Sequence, residues 1–211
     1  IRAKGYSATR VEDVCAVAGL TKGSFFHHFK SKEELAIAAA SHFSAAADAA
    51  FASAPYQSVE DPLERLLAYI DFRIAILRGS LPEVTCPLGT MAQETYDTYP
   101  ALLHACDQQM SLHTQQLAQL IAEAKQRHAP NASWRAESLA LYVQAVIQGG
   151  FVLAKAKNDT EAAAECFRHL RHHFEMLFQK PRAREKGEQS WPKQQTSASR
   201  ARSTLQRGNK Q

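Results

Sequence analysis

Three tetrapeptides constrain this chain more than any other feature: "TRVE" (Thr9 to Glu12), "SKEE" (Ser31 to Glu34) and "DPLE" (Asp61 to Glu64). Each sets an oxygen-bearing side chain three residues ahead of a glutamate, the spacing at which the first side chain caps the free amides of a helix start and the glutamate answers it. Each cap is worth about 1 kcal/mol, and Pro62 suits the first helical position because it has no amide to leave unpaired. No segment sustains the period-two alternation of a half-buried strand. Nine glycines and eight prolines in 211 residues, with 45% hydrophobic residues, leave room for long helices and a sizeable core. The fold class is all-α.

Along the chain, Val11, Val14, Cys15 and Ala18 fall at i, i+3, i+4 and i+7, one apolar stripe on a two-turn helix that Gly19 ends. Thr21 caps a second short helix over residues 22–29, and Ser31 opens a long one over 32–54, closed by Pro55. Further helices are expected over 62–78, 87–96, 100–128, 134–157 and 160–179. "IRAKG", Ile1 to Gly5, reads as the last turn of a helix stopping at glycine, so most of a first helix is expected to precede it.

On the second short helix Phe25, Phe26 and Phe29 project to one side, whereas Gly23, Ser24, His27 and His28 project to the other. The phenylalanines read as an anchor. The opposite face, small and polar and flanked by Lys22, Lys30 and Lys32, has the shape of a helix that enters a major groove between phosphate rows. A small residue in the first helix (Cys15), a turn glycine four positions on and a separately capped second helix make a helix-turn-helix.

At these residues the chain resembles the TetR family of one-component transcriptional regulators: "GYSATRVEDVCAVAGLTKGSFFHHFKSKEEL", Gly5 to Leu35, follows its DNA-binding signature nearly throughout. The resemblance implies that Thr9 and Thr21 contact phosphates, that Lys22, Gly23, Ser24 and His27 approach base edges, that His28 lies along the groove edge and that Lys32 grips a phosphate. Phe26 stands where many members have Tyr, so a phenol donor is absent there. The resemblance further implies a homodimer on a double-stranded, roughly palindromic operator, released by a small-molecule inducer, in the cytoplasm. For the interface, Leu139, Val143, Val146 and Gly150 form one stripe and Phe167, Leu170, Phe174 and Leu177 another, the makings of a four-helix bundle between two copies. Three regions are expected: a head over 1–45, an effector-binding and dimerisation body over 46–180, and a tail over 181–211.

The body holds a second, shorter likeness. "TCPLGTMAQE", Thr85 to Glu94, resembles an element of the branch containing the N-ethylmaleimide-responsive repressor, with Thr85 in place of the usual glycine. Cys86 then precedes Pro87 at a helix start, where the free amides favour thiolate, and Lys155 is a candidate amine partner; together they form a candidate electrophile or redox sensor. An apolar effector pocket is the other candidate signal site, with Phe72, Met91, Tyr96 and Phe151 as lining.

Charge and motifs exclude other classes. The tail carries eight Lys or Arg against Glu185 and Glu188, a net +6 within a chain of net +4, which leaves residues 1–180 at −2. The tail has little apolar content after Trp191 and is expected to be disordered. Cys15, Cys86, Cys106 and Cys166 are unpaired in spacing and read as reduced thiols. The alanine-rich run from Ala38 to Ala54 is broken by His42, Asp48 and serines, a poor membrane span. Cys166, His169 and His173 share a helix face without a fourth ligand, and no G-x-S-x-G, H-E-x-x-H or phosphate-binding glycine loop occurs, so no metal, cofactor or catalytic residue is assigned. The chain reads as a regulator and not an enzyme; a constitutive or architectural DNA-binding protein is the alternative.

Overall fold

The computed structural model describes residues 1–178, which form nine α-helices with no strand among them. The head holds α1 (Val11–Ala18) and α2 (Lys22–His28), and α3 (Lys32–Ala52) leads out of it. The body continues with α4 (Pro62–Ala75), α5 (Leu81–Val84), α6 (Pro87–Thr95), α7 (Pro100–His128), α8 (Ala136–Lys157) and α9 (Glu161–Phe178). The expected tail lies outside the described residues.

Two of the three caps form in their forward half, without the glutamate's answering bond to the cap amide; Glu34 accepts the Lys30 amide instead. Ser31 accepts the Glu34 amide at 3.1 Å, and Asp61 accepts those of Leu63 and Glu64 at 3.0 and 3.1 Å. The first is displaced by one residue: α1 is capped from Arg10, whose amide donates to Asp13 at 2.9 Å, while the Thr9 hydroxyl donates backwards to the Gly5 carbonyl at 2.6 Å. A β-hydroxyl reaches a carbonyl four residues back as readily as an amide ahead, and here the local turn decides. The reading also missed two short elements, the 3₁₀ turn Pro55–Ser58 and α5, which carries its own capping box from Ser80 to Glu83.

The main core lies between α4, α7, α8 and α9. Leu66, Ile70, Ile121, Val143, Ile147, Phe167, Leu170 and Phe174 are all within 2% of full burial, and each such side chain contributes about 1.5–3 kcal/mol. The expected dimer stripes are corrected where this core takes them up. Val143, Phe167, Leu170 and Phe174 are central to this core, Gly150 is buried against Phe167, and Leu139, Val146 and Leu177 pack at its edge. Helical periodicity marks a buried face without saying whether the same chain buries it.

What α8 leaves exposed is the opposite face. Leu141, Tyr142, Val152 and Leu153 are 64%, 42%, 45% and 45% exposed, and Met176 on α9 is 52% exposed. The helices α3 and α8 are long and apolar enough to cross a membrane by length and composition alone. Much of α8's apolar surface instead packs against α7 and α9.

A smaller core of Tyr6, Ala36, Ala40, Leu88, Met91, Leu102 and Cys106 joins the head to the body.

Candidate nucleic-acid interface and body cavity

Gly19 is what allows α1 and α2 to meet. It adopts φ 67°, a left-handed conformation that costs glycine nothing, and Leu20 then donates its amide to the Cys15 carbonyl at 2.9 Å. The Cys15 thiol, buried under the turn, points at the Thr21 carbonyl at 3.7 Å, a place where a larger side chain would push the helices apart. Thr21 accepts the Ser24 amide at 3.1 Å and starts α2.

The aromatic anchor is narrower than its sequence suggests. Phe25 is buried and Phe29 half-buried, but Phe26 is 55% exposed and meets Phe25 edge-on at 5.0 Å. On the outer side Thr21, Lys22, Gly23, His27 and His28 are exposed and Ser24 half-buried, so six of the eight candidate contact residues share one accessible surface. Lys22 is ion-paired with Glu12.

The other two candidates face inward. Thr9 is buried, and the half-buried Lys32 donates to the carbonyls of Tyr6 (3.1 Å) and Ser7 (3.4 Å) with its ammonium 4.2 Å above the Tyr6 ring. The same two residues are held from the other side by Glu94 on α6, whose carboxylate accepts their amides at 3.1 and 2.8 Å. Gly5 just before them has φ 82°, and a Cβ there would run into a Glu94 carboxylate oxygen. Burial alone would raise the Glu94 pKa; the Ser7 and Tyr6 hydrogen bonds outweigh it and hold the carboxyl below its ordinary value. The segment entering the helix-turn-helix is thus clamped to the body through a charge.

In the body, a cavity of about 260 Å³ opens between α3, α4, α6, α7 and α8. Of the four expected lining residues, Phe72 and Phe151 are there. Met91 is instead buried in the smaller core, and Tyr96 is 69% exposed at the end of α6. An aromatic or thioether residue in a helical body fits core, surface or pocket equally, so type alone did not separate them.

Sequence reasoning missed the polar lining. The His113 ring nitrogen Nε2 lies 3.0 Å from the Tyr69 hydroxyl, and burial, with Arg73 nearby, holds the His113 pKa down at about 4. Tyr69 is itself held protonated by burial, so its hydroxyl donates and His113 is neutral. Arg73 lies over the Phe51 ring at 5.1 Å.

Cys86 caps α6 half-buried and lines both this cavity and a second one that includes Lys155. The Lys155 ammonium donates to the Thr90 hydroxyl at 2.6 Å. Desolvation lowers its pKa, against the opposing pull of Cys86 and Glu94.

Residues 1–39 match the family model described as bacterial regulatory proteins, tetR family, and residues 62–176 match that of the transcriptional regulator LmrA/YxaF-like, C-terminal domain. The HTH-type transcriptional regulator LmrA of Bacillus subtilis (strain 168) is 27% identical over 159 residues, 74% of this chain and 81% of LmrA. The uncharacterized HTH-type transcriptional regulator YerO of the same organism is 40% identical over 40 residues, 19% of this chain and only 14% of YerO's own length. The reduced form of Escherichia coli NemR shares the fold, with a TM-score of 0.69 at 22% identity over 81% of this chain and 89% of that one. The chain belongs to the TetR family of bacterial, DNA-binding transcriptional regulators.

Proposed function

We propose that this regulator acts in the cytoplasm as a homodimeric repressor that leaves a palindromic operator when its body binds a small molecule. The exposed, small and polar face of α2, built from Gly23, Ser24 and His27 with Lys22 and Thr21 at its start, supports direct contact with base edges and phosphates. Phe26, exposed and without a phenol, is suited to sugar or thymine-methyl contact. Repression follows from occupancy, since a dimer seated on a promoter blocks it without further machinery.

A fluorescence-anisotropy titration against duplexes flanking the chain's own gene tests this. His27→Ala is expected to lower affinity for the preferred duplex by about tenfold and to relax its selectivity, one base contact being worth about 1–3 kcal/mol. Equal loss on every duplex would make the contact electrostatic, and no selectivity in the parent protein would favour the architectural reading.

The signal route has two arms. Phe43, Ser44 and Phe51 of α3 line the cavity, and α3 runs directly from the head. A shift of α3 changes the spacing of the two recognition helices. The second arm is α6, with Cys86 and Leu88 on the cavity at one end and Glu94 clamped to Tyr6 and Ser7 at the other. If the clamp holds the head, Glu94→Gln, which removes the charge but not the shape, speeds hydrogen exchange at the Tyr6 and Ser7 amides by about tenfold. Unchanged exchange there would dismiss α6 as a coupling element.

Thiol modification is a second reading, supported by the position of Cys86 between the two cavities with Lys155 on the second. Limiting maleimide then releases operator from the parent protein and not from Cys86→Ser. Release from both would clear Cys86 of the role.

A further inference from the structure

We propose that the body cavity takes a hydrophobic organic anion, an aromatic or branched carboxylate, with Arg73 as its counter-charge. This rests on the effector-cavity reading above and assigns its ligand class. The observation behind it is an unneutralised guanidinium. Arg73 is half-buried on α4, lies over the rings of Phe51 and Tyr69 at 5.1 and 6.0 Å, and makes no hydrogen bond and no ion pair within 4.0 Å among the described residues.

The tyrosines and the histidine packed about Arg73 supply no negative charge at neutral pH. Burial and the neighbouring Tyr69 push Tyr56 up to about 12, burial raises Tyr69, and His113 is held neutral by burial and by Arg73 itself. Two acids do line the cavity, Asp48 and Glu83. Glu83 is turned to Ser80, accepting its amide at 2.8 Å and its hydroxyl at 2.7 Å, and Asp48 is exposed on α3 without an ion pair among the described residues. An arginine stacked on aromatic faces presents its planar N–H edge, and a carboxylate meets that edge with two parallel hydrogen bonds.

Two more groups await a partner. Ser44 and Gln144 are each only 8% exposed, both line the cavity, and neither side chain makes a hydrogen bond among the described residues. Their polar atoms, Ser44 on α3 and Gln144 on α8, stay open to the cavity, where a ligand or water can complete them. The apolar part of the wall comes from Phe43, Phe51, Phe72, Val84, Leu88 and Phe151, with Thr85, Gln109 and Gln148 also lining it. The ligand that fits this division has a ring system against the phenylalanines and an anionic end at Arg73, with Ser44 and Gln144 free to meet neutral polar groups. A cavity of about 260 Å³ suits one or two rings and no more.

The test is calorimetric titration of the full chain with a matched pair, naphthylacetate and naphthylacetamide, alike in shape and different in charge. The parent protein is expected to bind the acid about tenfold or more tightly than the amide, the margin of a charge-assisted pair. Arg73→Gln is expected to bring the acid within about twofold of the amide while the amide's own affinity holds, and Arg73→Lys to keep part of the preference. Asp48→Asn is expected to tighten the acid modestly by removing a like charge.

Equal binding of acid and amide by the parent protein, no binding of either, or a preference that survives Arg73→Gln would each overturn the proposal. Operator release by an uncharged compound in the same cavity would do so while leaving the effector reading intact. If no compound of either charge binds the cavity or releases operator, the effector reading falls with it.

Discussion

Val152→Glu is expected to yield a folded monomer whose affinity for a two-half-site operator is at least about a hundredfold below that of the parent, the scale on which tethering a second binding module acts. Val152 lies on the exposed face of α8 with Leu141, Tyr142 and Leu153, beside Met176 and the exposed His169 and His172 of α9. That surface is apolar at its centre and has no partner among the described residues, the pattern of an interface awaiting a second copy. A glutamate there costs the isolated chain little, because the position is 45% exposed. In a two-fold interface the same glutamate is desolvated and meets its own symmetry mate or its neighbours. Phe167→Ala is the control, since Phe167 is 1% exposed and packs edge-on against Phe151 at 5.9 Å. It is expected to cost about 3–5 kcal/mol of stability and to leave whatever folded protein remains dimeric. Sedimentation velocity with urea unfolding separates the two. A dimeric Val152→Glu, or a monomeric but fully stable Phe167→Ala, would return the interface to the inner stripe.

The second large effect is an acid destabilisation carried by His113. Its folded pKa, about 4, lies below the ordinary histidine value, so the unfolded chain takes up a proton that the folded one refuses. The stability from a neutral His113 is therefore present above the unfolded pKa and is lost as pH falls toward the folded one. The loss between about pH 7 and about pH 5 is expected to be about 2 kcal/mol, approaching about 3 kcal/mol at lower pH. His113→Gln retains an acceptor for the Tyr69 hydroxyl and does not titrate, whereas His113→Phe would leave that buried hydroxyl unpaired at a cost of about 1–3 kcal/mol at every pH. Urea midpoints at the two pH values, for the parent and for His113→Gln, give the difference. Parallel pH dependence in both proteins would mean that His113 is protonated in the folded state.

The head was legible because its signals are local. A cap, a turn glycine and a two-turn apolar stripe all act within about ten residues, and Gly19, Thr21 and Ser31 hold the places and conformations that their chemistry demands. Thr9 shows the limit even there: whether its hydroxyl turns forward to cap α1 or back to the Gly5 carbonyl depends on how the preceding turn is held. The body was legible as helices and not as surfaces. Val143 and Tyr142 are adjacent in sequence, one fully buried and one 42% exposed, and both suit an apolar stripe. Which stripe faces the core is set by where α4, α7 and α9 pack.

The cavity and the clamp were beyond reach for the same reason. Arg73, His113 and Gln144 come from three helices, and Glu94 meets Tyr6 across 88 residues of chain. The motif around Cys86 did point to a special segment. Its clearest structural role falls to its last residue, Glu94, which clamps Tyr6 and Ser7.

The most direct test of the central claim is a stoichiometric titration of the full chain against a palindromic duplex recovered by selection from the DNA flanking its own gene, compared with the same duplex scrambled in one half-site. The expected result is two chains per intact duplex, half-sites centred about 34 Å apart or a multiple of it, and affinity at least about a hundredfold weaker once one half is scrambled. Equal affinity for intact, half-scrambled and unrelated duplexes would contradict a site-specific dimeric repressor and leave a protein that binds DNA by charge alone.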